Sequence, residues 1–491
     1  PVVQTPNLDA LAAEGVVFRN HFTQASPCGP ARCSLLAGMY LHNHRAVRNG
    51  TPLDARFTNV AKEVRKAGVE PHLFGYTDTG PDPRGLAPGD PELASFERVM
   101  PGFTPTLVMG PDFGPWRRHL AGLGYDVPAE PYGVYRPVAD YPGAQARGWT
   151  FAPARYKAEH SDTAFQTDAV IGFLTVPRAT PWLVHQAYLR PHWPFVAPEP
   201  YNALYHPDAM PAPLRAAGAE AEGAQHPLLR FLIANHGRRE GRFYTTDFLD
   251  GSAASERHFR QLMATYFALM TEPDHHVGRL VASLKATGAW DTTLVVFTCD
   301  HGENLGDHWL CGKEGYFDAA FHIPMIVRDP RAAADGTRGT VVEAFTETID
   351  AMPTILDALG VPAPRQCDGR SLVPFLHGRP PSDWRREVHW EFDFRDVRDP
   401  AVEQALGLTM DSCALAVLLD DRGKYVHFNG LKPLYFDRAA DPGEFDDRAG
   451  DPARAAEVLD YAQRMMTWRM ASDERELTGM SVGAGGVARR G

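Results

Sequence analysis

One short stretch constrains the fold of this chain more than any other: the apolar, β-branched run 292–297, which reads Thr-Thr-Leu-Val-Val-Phe. A run of this length and composition predicts a buried parallel strand. Asp300 and His301 follow at its carboxyl end, the edge at which open α/β sheets bind ligands. A carboxylate beside an imidazole suits a divalent cation that accepts oxygen and nitrogen ligands. The alternative is a surface turn whose Asp-His pair binds nothing.

The rest of the chain alternates predicted helices with predicted strands, which indicates an α/β sheet with helices on both faces. Helices are expected at 57–67, 162–174 and 255–287, and strands at 182–188, 292–298 and 324–327. After about residue 383 the pattern changes to hairpin-like runs at 388–394, 414–419 and 424–428. We therefore predict a large domain at 1–382 and a small antiparallel subdomain with a loose tail at 383–491.

A second informative stretch surrounds Cys28, which is followed by Pro30 and Arg32 at two-residue spacing. On its own, Cys28 could be a small buried thiol on a proline-bounded turn, because free cysteine often packs as a core hydrophobe. A phosphotyrosine-phosphatase loop is excluded, since that loop requires arginine six residues after the cysteine and Ser34 stands there.

Taken together, these stretches resemble the active-site blocks of type I sulfatases. Residues 28–32 match the Cys-x-Pro-x-Arg signature of that family, and residues 297–308 with Gly312-Lys313 resemble the metal-ligand block of the alkaline-phosphatase superfamily. Other segments resemble bacterial phosphonate monoester hydrolases, relatives of arylsulfatases; these segments begin at Thr5, Leu41, Gly75, Pro81, Arg190 and Lys424. The resemblance implies an alkaline-phosphatase-like α/β fold: a large central mixed sheet flanked by helices, with a small antiparallel C-terminal subdomain.

The resemblance also implies a catalytic apparatus. Cys28 would be converted to formylglycine by a formylglycine-generating enzyme and would then act as nucleophile and metal ligand. Arg32 would fix the formylglycine diol. Asp300 and His301 would bind the same single divalent metal, with Mn, Ca or Zn implied by the family.

Four more residues would surround the substrate oxyanion and leaving group: Lys313, His192, Asn49 and Tyr76. Lys313 would add positive charge where the transition state spreads negative charge, and His192 would protonate the departing alkoxide or phenoxide. Each residue also has a plainer interpretation. Lys313 could be a solvated loop lysine, His192 a turn residue between prolines, Asn49 a turn former before Gly50, and Tyr76 a core aromatic.

Asp78 is a departure from the family pattern, because some phosphonate hydrolases have threonine at this position. We expect its carboxylate to face the outer oxygens of the substrate and to disfavour dianionic phosphate monoesters relative to monoanionic sulfates, phosphonates and phosphodiesters. The alternative is that Asp78 caps a local turn before Gly80.

One element of the family pattern is missing from the printed sequence. The family begins with a short apolar strand that ends in acidic metal ligands, ahead of the helix that resembles residues 5–9. Here the sequence starts at Pro1. We interpret this as truncation rather than as a defective paralogue, because a sheet without a central parallel strand would expose unpaired backbone on both neighbours.

Charge and composition limit the partners. The formal net charge of −12 argues against a generic nucleic-acid or acidic-membrane binder, and no apolar run approaches the ~20 residues that cross a bilayer. We expect a small anionic ester as substrate, attracted locally by the metal, Arg32 and Lys313. The six cysteines lack disulfide or zinc-finger spacing, which suits a reducing compartment and predicts a bacterial cytoplasmic protein. A homo-oligomer, dimer or tetramer, is also expected.

Two classes of function follow from this reasoning. The first is a formylglycine-dependent metal hydrolase of phosphonate and sulfate monoesters, with phosphodiesters as further substrates or with the narrower activity of an arylsulfatase proper. The second is a non-catalytic paralogue that binds an anion. Mass spectrometry of the Cys28 peptide separates them, because formylglycine is lighter than cysteine.

Overall fold

The computed structural model describes residues 2–239 and 253–489. The helices are α1 Pro6–Glu14, α2 Cys28–Ala37, α3 Leu41–His44, α4 Val60–Lys66, α5 Gly114–Gly122, α6 Ala144–Arg147, α7 Asp162–Leu174, α8 Ala219–Gly223, α9 Pro227–Arg239, α10 Ala253–Ala286, α11 Asp318–Phe321, α12 Ala351–Ala358, α13 Val373–Leu376, α14 Ala401–Leu406 and α15 Ala455–Ser472. None of the helices so described is both long and apolar enough to pass through a membrane.

The strands are β1 Val16–Phe18, β2 His21–Phe22, β3 Ala25–Ser26, β4 Glu70–Gly75, β5 Thr104–Val108, β6 Trp182–Gln186, β7 Val295–Thr298, β8 Met325–Arg328, β9 Thr340–Val342, β10 Thr346–Glu347, β11 Val388–Asp393, β12 Ala414–Leu419, β13 Gly423–Phe428, β14 Leu434–Asp437, β15 Met480–Gly483 and β16 Gly486–Arg489. Helices and strands alternate through most of the chain, so the predicted α/β class is confirmed.

The strands of the large domain form two main sheets. One has the order β7-β8-β1-β9 and mixes directions, because β1 is antiparallel to β8 and parallel to β9. The other has the order β5-β4-β6 and is parallel throughout. The predicted parallel strand at 292–297 is wrong in direction: β7 pairs with β8 antiparallel. An apolar β-branched run indicates burial, and it does not specify the direction of the neighbouring strand.

A cavity of about 1620 Å³ is lined by β6 of one sheet and by β7 of the other. Apolar side chains of α2, α10 and α12 line it as well. Cys28, Asp300 and His301 are among its polar lining residues. The fold therefore brings the two stretches singled out in the sequence to the same cavity.

The C-terminal sheet has the order β14-β13-β12-β11-β3. Its four long strands are antiparallel, as predicted, but its edge strand β3 comes from the start of the chain and pairs with β11 in parallel. Leu228 and Leu232 of α9 pack into the same core as Trp390 of β11. The boundary near residue 382 remains a prediction, because the N-terminal part of the chain supplies a strand to this sheet.

Local signals account for two elements that position the site. The Ser161 hydroxyl accepts a hydrogen bond from the Ala164 N–H and caps α7, which has the predicted bounds of residues 162–174. Helix α2 begins at Cys28 and ends at Gly38, whose left-handed φ of 67° suits glycine. These local signals account for where α7 starts and where α2 ends.

Candidate active site

Cys28 occupies the first position of α2, with 6% of its surface exposed. Pro27 precedes the helix and provides no side-chain cap. The N-terminal end of α2 therefore presents its partial positive charge beside the thiol. The Gly29 N–H donates to Asn49 Oδ1 at 2.8 Å, so Asn49 holds the helix start that carries Cys28.

Asp300 and His301 lie just beyond β7, separated from its end by Cys299, and they meet α2 there. His301 Nε2 lies 3.2 Å from Cys28 Sγ. Arg32, one turn further along α2, donates from Nε to Asp300 Oδ2 at 2.9 Å. These two contacts join the cysteine block to the Asp-His block, which are 268 residues apart in the Arg32–Asp300 pair.

The protonation states of this pair follow from their neighbours. His301 Nδ1 lies 2.8 Å from the Gly302 carbonyl, which can only accept, so Nδ1 carries the proton and the Nε2 lone pair faces Cys28. Burial and the Lys313 ammonium lower the pKa of His301, against the opposing charge of Asp300. Burial would raise the pKa of Asp300, but His301 and Arg32 outweigh it and hold that pKa well below its usual range.

These side chains fit a metal ion. Cys28 Sγ, a carboxylate oxygen of Asp300 and Nε2 of His301 all lie within 4.8 Å of one another, and they form the one such group of three found in residues 2–239 and 253–489. An ionised carboxylate and a neutral imidazole are the forms in which these residues bind divalent metals. The donor set therefore agrees with the metal site that the sequence predicts.

Lys313 and His192 approach the thiol from two other segments. Lys313 Nζ donates to Cys28 Sγ at 3.3 Å, and the Lys313 carbonyl accepts from the Ser26 hydroxyl. His192 Nδ1 lies 2.8 Å from the Trp193 carbonyl, which leaves Nε2 for the site. Burial and Lys313 lower the pKa of His192, and a hydrogen bond with Cys28 opposes them. Two groups able to carry positive charge thus converge on one sulfur atom.

Tyr76 contacts Arg32. The guanidinium lies 4.0 Å above the Tyr76 ring centroid, and Arg32 Nη1 donates to the Tyr76 carbonyl at 3.3 Å. The ring therefore supports Arg32 through a cation–π contact. This contact adds a supporting role to the substrate contact that the sequence predicts for Tyr76.

Asp78 faces the site. Its Oδ2 lies 3.6 Å from Arg32 Nη1, and the side chain is 8% exposed. Burial raises the pKa of Asp78, and Arg32 opposes that rise. Within the part of the chain that the structure describes, the carboxylate caps no turn before Gly80. Its backbone adopts a φ of 48°, a left-handed conformation that aspartate tolerates better than β-branched residues do.

Sequence reasoning missed Glu303, which holds the loop that carries Lys313. Glu303 Oε1 accepts hydrogen bonds from the Gly312 N–H and from the Leu305 N–H at 3.3 Å. The Asn304 side chain adds a third hydrogen bond by donating to the Glu314 carbonyl at 3.1 Å. The close spacing of 303–304 and 312–314 is the only sequence signal for this pairing, and spacing alone does not reveal a folded-back loop.

All the predicted site residues lie around Cys28. His301 and Lys313 contact its side chain, Asp300 lies beside His301, and Arg32 donates to Asp300. His192 hydrogen-bonds to the thiol, while Asn49 and Tyr76 act through Gly29 and Arg32. The arrangement is a buried thiol that adjoins a metal-type donor set, the Lys313 ammonium and the His192 ring.

Comparison with known proteins identifies two family models in this chain. The sulfatase model matches residues 1–361. The model for the C-terminal region of N-sulphoglucosamine sulphohydrolase matches residues 306–471. The first match covers both the Cys28 block and the Asp300-His301 block.

Individual relatives agree with these matches. The multifunctional alkaline phosphatase superfamily protein PehA of Trinickia caryophylli is 46% identical over 480 residues, which cover 97% of this chain and 92% of the relative. The solved phosphonate monoester hydrolase of Agrobacterium radiobacter superposes with a TM-score of 0.92 at 41% identity, covering 100% of this chain and 95% of that one. The phosphonate monoester hydrolase SpPMH of Silicibacter pomeroyi gives a TM-score of 0.93, also at 41% identity, with the same coverage.

Proposed function

The chain belongs to the sulfatase family and is an ester-bond hydrolase, and on that premise we propose that it cleaves phosphonate monoesters and sulfate monoesters. The observation that carries the proposal is the convergence of a thiol, a metal-type donor set and two cationic groups at one end of the cavity. The relatives that are 41–46% identical and that are named for phosphonate hydrolysis or for several activities support the choice of esters.

We assign the nucleophile to Cys28 after its conversion to formylglycine. Formylglycine supplies a hydrated aldehyde, in which one hydroxyl attacks the ester and the second allows the covalent product to be released without attack by an outside water. The position of Cys28 suits this role, because Lys313 Nζ and His301 Nε2 both lie within 3.3 Å of the atom that would be replaced. The modification makes a formylglycine-generating enzyme the expected partner in the cell.

Cys28, Asp300 and His301 would hold one divalent metal. A metal there lowers the pKa of a hydroxyl bound to it and neutralises part of the substrate charge. Mn, Ca and Zn are the candidate ions. The hard cations Mn and Ca suit the Asp300 carboxylate, while the His301 imidazole suits Zn or Mn.

The remaining residues act on the substrate directly or hold those that do. Lys313 and Arg32 place positive charge beside the oxygens that gain negative charge in the transition state. His192 directs Nε2 at the departing oxygen, while its Nδ1–H donates to the Trp193 carbonyl. Nε2 can give a proton only when the ring is an imidazolium, a form that a bound anionic ester favours against the burial and the Lys313 charge that lower the pKa of His192. Asn49 fixes the start of α2, and Tyr76 supports Arg32.

The decisive experiment uses the chain coexpressed with a formylglycine-generating enzyme. Mass spectrometry of the Cys28 peptide and metal analysis establish that the protein is modified and loaded. We expect such protein to hydrolyse p-nitrophenyl sulfate and p-nitrophenyl phenylphosphonate, while Cys28→Ala does neither. Failure of modified, metal-loaded protein on both esters would overturn the proposal, and cleavage of the sulfate alone would restrict the enzyme to an arylsulfatase.

We also propose a homo-oligomer in a reducing compartment such as the bacterial cytoplasm. The C-terminal hairpin β15–β16 exposes Val482 and Val487, by 83% and 57%, and a two-stranded hairpin needs a packing partner to be stable in water. None of the six cysteines, all of which the structure describes, forms a disulfide, which supports the reducing compartment. Size-exclusion chromatography with light scattering tests the oligomer, which a monomer at micromolar concentration would contradict.

A further inference from the structure

Arg190 lies two residues before His192 in the chain, and its side chain is completely buried. From Nη1 it donates to the carbonyl of His192 at 3.1 Å and to the carbonyl of Pro194 at 2.8 Å. The two carbonyls lie on either side of Trp193. One guanidinium nitrogen therefore holds both ends of the three-residue segment 192–194.

Four other side chains surround the guanidinium. Arg190 Nη2 donates to Tyr156 Oη at 3.2 Å, and the guanidinium carbon lies 4.5 Å above the Tyr135 ring centroid. Nε lies 3.7 Å from Oδ1 of Asp162, the first residue of α7. Glu272 of α10 adds a second buried carboxylate close by. Arg190 is thus fixed against the start of α7 and beside α10.

Among the described residues, few backbone hydrogen bonds hold this loop, although the Trp193 ring packs against Tyr132. Pro191 and Pro194 have no N–H to donate, and the segment belongs to no helix or strand. The His192 N–H donates to the Leu189 carbonyl at 3.0 Å, and the His192 ring is tied through Nδ1 to the Trp193 carbonyl. Because the His192 ring is hydrogen-bonded to the backbone of the loop, a shift of that backbone moves Nε2 by a similar amount.

We propose that Arg190 is a positioning residue: it fixes the 192–194 segment so that His192 Nε2 is held where the departing oxygen of the substrate needs a proton. This inference rests on the proposed function, in which His192 serves the leaving group. Arg190 itself touches no reacting atom. Its contribution is the orientation of a proton donor, and small misplacements of such a donor reduce the rate sharply.

The test exploits the leaving group. Proton donation matters little when the leaving group is a good one and most when it is poor, and general acid catalysis is worth ~10²–10⁴-fold in rate. We would measure kcat/KM for 4-nitrophenyl sulfate, 4-chlorophenyl sulfate and phenyl sulfate with the modified, metal-loaded protein. For Arg190→Met we expect a loss that is about tenfold larger for phenyl sulfate than for 4-nitrophenyl sulfate, a fraction of the total general-acid contribution.

Two further variants keep the test decisive. Arg190→Lys retains the charge but lacks the planar fork. We expect its loss of kcat/KM to be larger for phenyl sulfate than for 4-nitrophenyl sulfate, by a smaller factor than in Arg190→Met. This variant also replaces Arg190→Met in the test if Arg190→Met does not fold. Arg328→Met is the matched control. Arg328 is also buried and donates to two backbone carbonyls, those of Trp290 and Thr293, outside the proposed site, so its loss should affect all three esters equally.

His192→Asn separates failure of this inference from failure of the proposed function. We expect kcat/KM of this variant to depend more steeply on the leaving group than that of any other variant in the test. If His192→Asn shows no such dependence, the role of His192 is wrong and the inference about Arg190 falls with it. If His192→Asn shows the dependence while both Arg190 variants lose activity equally on all three esters, only the inference about Arg190 is overturned.

Discussion

Lys313 and Lys424 lie in two buried charged clusters that differ in what surrounds the ammonium. Lys424 on β13 is wholly buried, and its Nζ donates to Asp318 Oδ1 at 3.0 Å and to both carboxylate oxygens of Glu444, at 2.8 and 2.7 Å. Arg438 adds a second cation 3.3 Å from Asp318. Positive and negative groups in this cluster therefore balance one another within the protein.

Around Lys313 the charges are directed at the space beside Cys28. Its Nζ donates to Cys28 Sγ, a weak acceptor, at 3.3 Å. Arg32 is shared between Asp300 and Asp78. A cluster whose groups satisfy each other stabilises a fold, whereas one whose groups converge on a reactive atom can stabilise charge that forms during a reaction. This difference separates a structural cluster from a catalytic one, although the sequence segments of both carry the family resemblance.

The largest expected effect compares two buried cysteines. Cys28→Ala should reduce turnover of the modified enzyme to less than about a thousandth, because loss of a covalent nucleophile costs at least that much, while the fold remains intact. Cys413→Ala is the matched control: Cys413 is also buried, in the core of the C-terminal sheet. It should lower the melting temperature slightly and leave kcat of the folded protein unchanged. Residual turnover by Cys28→Ala above a thousandth would contradict the assignment.

Metal removal should affect one cluster and not the other. Chelation should abolish hydrolysis reversibly, with activity restored by added Mn, Ca or Zn. Asp300→Asn should weaken metal retention by more than the ~10–100-fold that loss of an outer-shell partner costs. Asp318→Asn, in the Lys424 cluster, should leave the metal-to-protein ratio unchanged by elemental analysis. Stoichiometric metal with unaltered affinity in Asp300→Asn would show that Asp300 is not a ligand.

Substitution of Lys313 should lower activity, whereas substitution of Lys424 should lower stability. Lys313→Met should lower kcat by ~10²–10³-fold, the cost of losing one group that stabilises transition-state charge, with little change in unfolding. Lys424→Met leaves Asp318 and Glu444 buried with less positive charge, and it should lower the free energy of unfolding by ~3–5 kcal/mol. Denaturant unfolding and steady-state kinetics measure both. The distinction fails if Lys313→Met is the more destabilising of the two.

The smallest expected effect concerns Asp78, which adds negative charge to the catalytic cluster. Two unit charges at 4 Å repel by ~1–4 kcal/mol at effective dielectrics between bulk water and a protein surface, and Arg32 offsets part of this at Asp78. Asp78→Asn removes the charge and keeps a side chain that tolerates the left-handed backbone, and it should therefore raise kcat/KM for p-nitrophenyl phosphate relative to p-nitrophenyl sulfate by about five- to tenfold. An unchanged ratio would mean that Asp78 takes no part in charge selection.

The sequence predicts much of the fold because several signals are local. The bounds of α7 follow from the Ser161 cap and the apolar spacing of residues 162–174, and β12 has the predicted bounds of 414–419. The direction of β7 was predicted wrongly, because its pairing with β8 depends on the path of the chain between them. Strand β3 was missed since two residues carry no periodic pattern.

The candidate site divides in the same way. The motifs around Cys28 and Asp300 predict which residues share the site, because each motif places its own members within a few residues of one another. The stacking of Tyr76 under Arg32 joins residues that are 44 positions apart in the chain. The hold of Arg190 on residues 192–194 is short in sequence, but it depends on the path of a loop that has no periodic pattern. No spacing in the sequence encodes such contacts, so they appear only in the folded structure.

The pairing of β3 with β11 bears on when the proposed modification of Cys28 can take place. Ala25 and Ser26, just before the cysteine, are hydrogen-bonded to a strand whose partner residues are Glu391 and Phe392, and in the finished fold the thiol is buried. A ribosome adds ~5–20 residues per second, so roughly 20 to 70 s separate the synthesis of Ser26 from that of Phe392. Until then the sheet cannot close over this segment. On the proposed conversion of Cys28 to formylglycine, we therefore expect the modifying enzyme to act while the chain is still being made, and we expect Cys28 of a protein that folds first to remain a thiol.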